Sequence, residues 1–79
     1  MEAVETRVIS VITGVLQAKN AEVKIIDSSM MGDPMEWDSL AFVEIFLAVS
    51  GHFDLEVSDD DAISFMSVPE IVEFVSERI

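Results

Sequence analysis

Apolar residues near the amino terminus recur at helical spacing. Several of them are β-branched, but their period is closer to about 3.6 residues than to about 2, so residues 2–18 are predicted to form a helix. Glu2 and Glu5 fall in its first turn, where the helix dipole favours negative charge. The predicted apolar stripe consists of Val4, Val8, Val11, Ile12 and Val15.

The next segment, residues 19–38, shows no sustained period. A loop of this length without secondary structure is uncommon in a compact domain and is often functional. We expect it to cross the surface, with its apolar side chains held in the core and room for a short helical turn. Those apolar residues are Val23, Ile25, Ile26, Met30, Met31 and Met35.

A second helix is predicted from about Ser39 to Ser50, ending at Gly51, because glycine commonly terminates helices. Asp38 and Ser39 mark its start, since their side chains accept hydrogen bonds from the free N–H groups of a first helical turn. Nine of the ten residues 40–49 are apolar, and Glu44 is the only charged one.

This second helix is apolar nearly all round. We expect the stripe of Leu40, Val43 and Leu47 to face the core. A helix of this kind is either fully buried or uses a second face for another purpose, and full burial is difficult in a small domain. The apolar pattern of this helix therefore predicts that one of its faces contacts a partner or a ligand. The apolar residues outside the core stripe are Phe42, Ile45, Phe46 and Val49.

The carboxyl-terminal part predicts an extended connector and two helices. Ser58 is expected to cap a short helix over residues 59–65. The last helix, residues 68–78, begins with Ser67 and Glu70 at the spacing of a capping box. The connector alternates apolar and acidic positions but has no second strand to pair with. Its apolar residues are Phe53, Leu55 and Val57.

Together these segments predict an all-α fold, a small four-helix bundle with a long loop between helices 1 and 2 and a short third helix. The length predicts a single domain over residues 1–79. A chain of this size buries only about 60% of its unfolded surface, so the core is modest. There is no cysteine, and the fold must therefore be stabilised by apolar packing without disulfides.

Acidic residues dominate the charge, with sixteen acids, four bases and a formal net charge of −12. This balance argues against nucleic acid and anionic membranes as partners, because both need cations on the protein. A partner with a basic patch would instead be steered toward the chain. Acids at the amino terminus do not match a signal peptide, and no apolar run approaches the roughly 20 residues of a membrane span. We expect a cytoplasmic protein.

The residues around Ser39 resemble a known motif. Asp38-Ser39-Leu40, followed by Val43 and Glu44, is similar to the attachment motif of acyl carrier proteins and the related peptidyl carrier domains. The similarity extends without an insertion from about Met31 to the carboxyl terminus. Its other matching positions are Phe53, Glu56-Val57, Asp59-Asp60-Asp61-Ala62 and Ser67-Val68.

The resemblance implies a non-enzymatic carrier that presents acyl or aminoacyl thioesters to enzymes of fatty-acid, polyketide or related biosynthesis. A phosphopantetheinyl transferase would attach 4′-phosphopantetheine from coenzyme A to Ser39. Asp38 would aid docking and the metal-dependent transfer. An acyl- or aminoacyl-loading ligase or transferase and synthase-type enzymes are the other implied partners. The thiol of the arm would do the chemistry, in agreement with a chain that has no cysteine.

The sequence departs from this family pattern in its second helix. Fatty-acid carriers usually continue that helix with more acids, whereas Ala41 and Phe42 follow Leu40 here. Trp-Asp-Ser-Leu resembles the motif of stand-alone carriers of specialised pathways. We therefore expect docking that depends less on charge, with an apolar contact from Phe42. Trp37 is interpreted first as a residue at the edge of the core and second as a contact residue. The predicted partner-binding residues are Trp37, Leu40, Phe42, Val43 and Glu44.

The same residues are compatible with a second class of protein. In a small acidic helical interaction domain, Ser39 would be only a helix cap and the second helix a docking surface. A hydrolase with Ser39 and His52 is improbable, because thirteen helical residues separate them by about 20 Å. No Gly-x-Ser-x-Gly turn is present either.

Two further residue sets have simple interpretations. Asp59 to Asp61 lack the spacing of a calcium-binding EF-hand loop and indicate a solvated helix start, so no metal site is predicted. Four methionines are expected to fill gaps in the core, with a pliable space for an acyl chain as the alternative. They are Met30, Met31, Met35 and Met66.

Overall fold

The computed structural model of the protein describes residues 3–79. Within that range the chain forms four helices: α1 (Val4–Gln17), α2 (Ser39–His52), a 3₁₀ helix (Asp59–Phe65) and α3 (Val68–Ser76). Residues 18–38 form the long loop between α1 and α2. The described residues contain two isolated β-bridges but no strand. The predicted all-α fold, with its long loop and short third helix, is confirmed.

Helix α1 agrees with the predicted stripe. Val8, Ile12 and Leu16 are fully buried, at the i, i+4 and i+8 positions that share one helix face. Leu16 was not part of the prediction. Glu5 lies in the first turn, whereas the predicted contribution of Glu2 lies outside the described residues.

Helix α2 packs with the opposite face from the one expected. Ala41, Ile45 and Val49 are fully buried, while the predicted core stripe lies on the surface. The exposed fractions are 64% for Leu40, 47% for Val43 and 64% for Leu47. Both faces are apolar, so the pattern alone did not distinguish them. Contact with the neighbouring helices decided the orientation.

The 3₁₀ helix supplies the aromatic centre of the core. Phe65 is fully buried and makes edge-to-face contacts with Phe46 of α2, at 4.8 Å between ring centroids, and with Phe74 of α3, at 4.9 Å. Such contacts stabilise aromatic pairs beyond the burial of their area. The short helix thereby joins α2 to α3.

The long loop is attached to the start of α3 by backbone hydrogen bonds. The N–H of Met31 donates to the carbonyl of Met66 at 2.8 Å, and the N–H of Val68 donates to the carbonyl of Ser29 at 3.0 Å. Val23 and Ile25 are buried, as expected for apolar residues that hold the loop on the core. The loop contains hydrogen-bonded turns but no helix.

The methionine prediction was wrong for most of its members. Met31 is partly buried against the core, but Met30, Met35 and Met66 are exposed, and Met35 has 85% of its surface accessible. Ile26 of the same loop is also exposed, at 52%. These residues therefore do not fill gaps in the core.

The start of α3 is capped as the sequence predicted. The Ser67 hydroxyl accepts a hydrogen bond from the Glu70 N–H at 3.3 Å and donates one to the Glu70 carboxylate at 2.9 Å. The N–H of Ser58 donates to the Asp61 carboxylate at 2.9 Å. In the connector, the side chains of Phe53, Leu55 and Val57 are partly buried and those of Asp54 and Glu56 are exposed.

Candidate functional site

Ser39 is the first residue of α2 and is exposed to solvent. The preceding residue, Asp38, has extended backbone geometry, and its carboxylate accepts a hydrogen bond from the Ala41 N–H at 2.9 Å. Asp38 is therefore the helix cap. Among the side-chain hydrogen bonds of residues 3–79, none involves the Ser39 hydroxyl. Its oxygen is therefore exposed and is not used as the helix cap.

A tight turn positions this helix start. Gly32 has a φ of 92°, a conformation that glycine adopts without a steric penalty, and its N–H donates to the Trp37 carbonyl at 2.9 Å. The Trp37 N–H donates to the Pro34 carbonyl at 3.0 Å. The turn thus closes immediately before Asp38 and brings the chain into α2.

Trp37 anchors that turn in the core. Its side chain has 0% exposure, so it presents no surface to another protein. The prediction that Trp37 binds partners is corrected, because its large ring gains more from burial than any exposed position would allow. Its indole Nε1 is buried without a hydrogen-bond acceptor among the described residues.

The outward face of α2 adjoins Ser39. Leu40, Val43 and Leu47 lie on it at the spacing of one helix stripe, and all three are exposed. Phe42 is only partly exposed and packs against the core. The predicted partner residues Leu40 and Val43 are therefore accessible. Leu47, which the pattern assigned to the core together with Leu40 and Val43, is exposed beside them.

Glu44 is the only acid in α2 and is also exposed. Its carboxylate oxygen lies 3.0 Å from the Lys19 ammonium, just beyond the end of α1. The remaining acids of the described chain lie on α1, the long loop, the connector, the 3₁₀ helix, α3 and the carboxyl-terminal residues after it. The site therefore combines a free hydroxyl with an apolar surface whose single carboxylate is already paired.

The helix start suits a phosphorylated group attached to Ser39. At this end the Ala41 N–H donates to the Asp38 carboxylate, and the Phe42 N–H donates to the Asp38 backbone carbonyl. The N–H groups of Ser39 and Leu40 precede these bonds, and such first-turn donors together with the helix dipole favour a phosphate. The residues present thus fit a phosphopantetheine arm.

Other chemistry finds little support at this site. His52 is the last residue of α2, at the end opposite Ser39, so the two do not form a nucleophile and base pair. The part of the chain that the structure describes contains no group of three or more potential ligand side chains placed to hold a metal ion. In residues 3–79, no helix has the length and apolar character needed to cross a membrane.

Comparisons with known proteins identify the family of the chain. The family model described as "Phosphopantetheine attachment site" matches residues 6–75. An acyl carrier protein of Buchnera aphidicola subsp. Schizaphis graminum is 30% identical over 78 residues, which cover 99% of this chain and 96% of that protein. An acyl carrier protein of Desulforapulum autotrophicum is 32% identical over 76 residues, covering 96% of this chain and 97% of that protein.

The chain is a phosphopantetheine carrier domain and belongs to the acyl carrier protein family. It is a carrier, not a catalyst, and its cofactor is a 4′-phosphopantetheine covalently attached to a serine. Proteins of this family interact with a phosphopantetheinyl transferase and with synthase-type enzymes. The predictions of the family, of the carrier role and of the phosphopantetheine cofactor are confirmed.

Proposed function

We propose that Ser39 carries the phosphopantetheine arm and that the chain delivers acyl or aminoacyl thioesters to partner enzymes. The observation that supports this assignment is the exposed Ser39 hydroxyl in the first turn of α2, where its neighbour Asp38 already supplies the cap. If Ser39 were only a cap, as in a plain interaction domain, its hydroxyl would accept the bond that Asp38 accepts here.

Each residue near the helix start has a defined part in this proposal. In the transferase reaction the Ser39 oxygen bonds to the phosphorus of the pantetheine phosphate of coenzyme A. The pyrophosphate P–O bond breaks, the adenosine bisphosphate leaves, and the hydroxyl proton passes to a base. Asp38 holds the first turn and contributes its charge to docking and metal-dependent transfer. The N–H groups of Ser39 and Leu40 favour the phosphodiester that results. The bound arm supplies a thiol that holds the cargo.

Partner enzymes would contact the outward face of α2. Leu40 and Val43 form its apolar part together with Leu47, Phe42 contributes its accessible edge, and Glu44 is its only charge. Large exposed apolar side chains on one stripe are typical of an interaction surface. This composition favours a carrier of a specialised pathway within fatty-acid, polyketide or related biosynthesis. We place that carrier in the cytoplasm, where its own ligase or transferase would load it.

The attachment site is testable by intact mass. Incubation of the purified chain with coenzyme A, Mg²⁺ and a promiscuous phosphopantetheinyl transferase should add the mass of one arm. Ser39→Ala should abolish the gain, because the attacking oxygen is removed. Ser64→Ala, which alters a serine of the 3₁₀ helix, is the matched control and should retain it. An arm on Ser39→Ala, or no arm on the unaltered chain with several transferases, contradicts the proposal.

A further inference from the structure

An ion pair connects the end of α1 to the middle of α2. The Lys19 ammonium lies 3.0 Å from a Glu44 carboxylate oxygen, and the side chains of the two residues are 29% and 47% exposed. It is a surface ion pair, and such pairs are strongest at low salt. The pair therefore holds the Glu44 carboxylate toward α1.

Glu44 occupies a particular position on α2. It follows Leu40 by four residues and precedes Leu47 by three, so it shares a helix surface with these two exposed apolar side chains. A protein that docks on the outward face of α2 would meet Glu44 as the only carboxylate of the helix. That carboxylate is already paired with Lys19.

The other cations of the described chain are placed elsewhere. The Arg7 guanidinium lies 4.5 Å from the centre of the Phe53 ring, and that of Arg78 lies 3.6 Å from the centre of the Phe74 ring. Lys24 is exposed, and no carboxylate lies within salt-bridge distance of it in residues 3–79. With sixteen acids available, Lys19 pairs with the one acid on α2.

We propose that Lys19 is a positioning residue for partner recognition, acting through Glu44. Its ion pair shields the single charge of α2, so partners recognise this face through its apolar side chains. A partner that depends on a cation against α2 must displace Lys19 and binds more weakly. The chain thereby selects enzymes with an apolar docking surface over enzymes with a basic one. This inference rests on the proposed attachment of the arm to Ser39.

Paired substitutions test the shielding. Lys19→Met and Lys24→Met change the net charge equally, but only the first releases Glu44. The probe is a phosphopantetheinyl transferase with a basic docking surface, assayed at low salt with saturating coenzyme A and varied carrier. We expect Lys19→Met to lower the KM for the carrier about two- to fivefold relative to Lys24→Met, the range expected for one surface ion pair. The kcat should not change, because docking alone is altered.

Repeating the comparison in chains that carry Glu44→Gln shows whether Lys19 acts through Glu44. In Glu44→Gln chains, the difference in KM between the Lys19→Met and Lys24→Met variants should disappear. Equal KM values in the parent background, or a difference that persists with Glu44→Gln, would overturn the inference. Lys19→Gln repeats the test with a polar replacement, and circular dichroism verifies the helices of every variant. Failure of the unaltered chain to accept an arm would instead refute the attachment at Ser39.

Discussion

Asp38 shows how one side chain sets the position of the site. Its carboxylate accepts the Ala41 N–H, which makes Ser39 the first residue of α2 and leaves the serine hydroxyl exposed. An acid at this position serves two purposes, because it satisfies a free donor and complements the helix dipole. Substitutions of Asp38 can separate its capping role from its proposed role in arm transfer.

Asp38→Ala should lower the free energy of unfolding by about 0.5–2 kcal/mol, since the cap is lost. Asp38→Asn should stay within about 0.5 kcal/mol of the parent chain, because asparagine caps as well as aspartate. Urea denaturation followed by the fluorescence of Trp37, the only tryptophan, measures both. The Asn variant should nevertheless accept the arm more slowly, as the charge is gone. Equal destabilisation by Ala and Asn would contradict the capping role.

The residue next to Asp38 marks a limit of sequence reasoning. Trp37 belongs to the same four-residue motif as Ser39, yet one side chain is fully buried and the other is exposed. A cap residue is recognisable from its type and position, because the hydrogen bond it makes is local. The direction of Trp37 depends on the turn closed by Gly32 and on the core that receives the ring.

At the scale of the helix, α2 contributes two apolar faces with different tasks. One face, with Ala41, Ile45 and Val49, is fully buried in the core. The other, with Leu40, Val43 and Leu47, remains exposed beside Ser39. Burial stabilises the bundle, and exposure leaves an apolar surface for partner enzymes. A helix apolar nearly all round satisfies both requirements.

Two truncations on α2 test this assignment. Ile45→Ala should reduce the free energy of unfolding by about 2–5 kcal/mol, because a fully buried side chain is removed. Leu47→Ala, two residues away and 64% exposed, should change it by no more than about 0.5 kcal/mol. Urea denaturation measures both values. Leu47→Ala should instead slow turnover with the cognate partner enzymes. If Leu47→Ala destabilised the protein more than Ile45→Ala, the face with Leu47 would be the buried one and this assignment would be wrong.

At the scale of the whole molecule, charge is distributed unevenly. The net charge is −12, yet α2 contains one acid, and that acid is paired with Lys19. In the described chain two ion pairs offset the acids, the second joining Arg78 to Glu77 at 3.9 Å. Unbalanced charge of one sign destabilises a compact state through self-repulsion. The fold therefore carries an electrostatic cost that salt can reduce.

Salt should accordingly stabilise the protein. Raising NaCl from about 0.01 M to about 0.15 M shortens the screening length from about 30 Å to about 8 Å. We expect the melting temperature to rise by several degrees, which corresponds to about 1 kcal/mol for a domain of this size. Calorimetry at both concentrations measures the change, and KCl in place of NaCl controls for specific ion binding. A melting temperature that is unchanged or lower in salt would contradict this view.

The sequence by itself determined the helices, the capping residues of α2 and α3, and the position of Ser39. These features depend on hydrogen bonds and apolar spacing within a few residues, which the order of residue types records directly. The exposed methionines, the burial of Trp37, the Lys19–Glu44 ion pair and the buried face of α2 were decided by the tertiary structure. Each depends on contacts between residues distant in the chain, and where both faces of a helix are apolar, only its neighbours determine which one is buried.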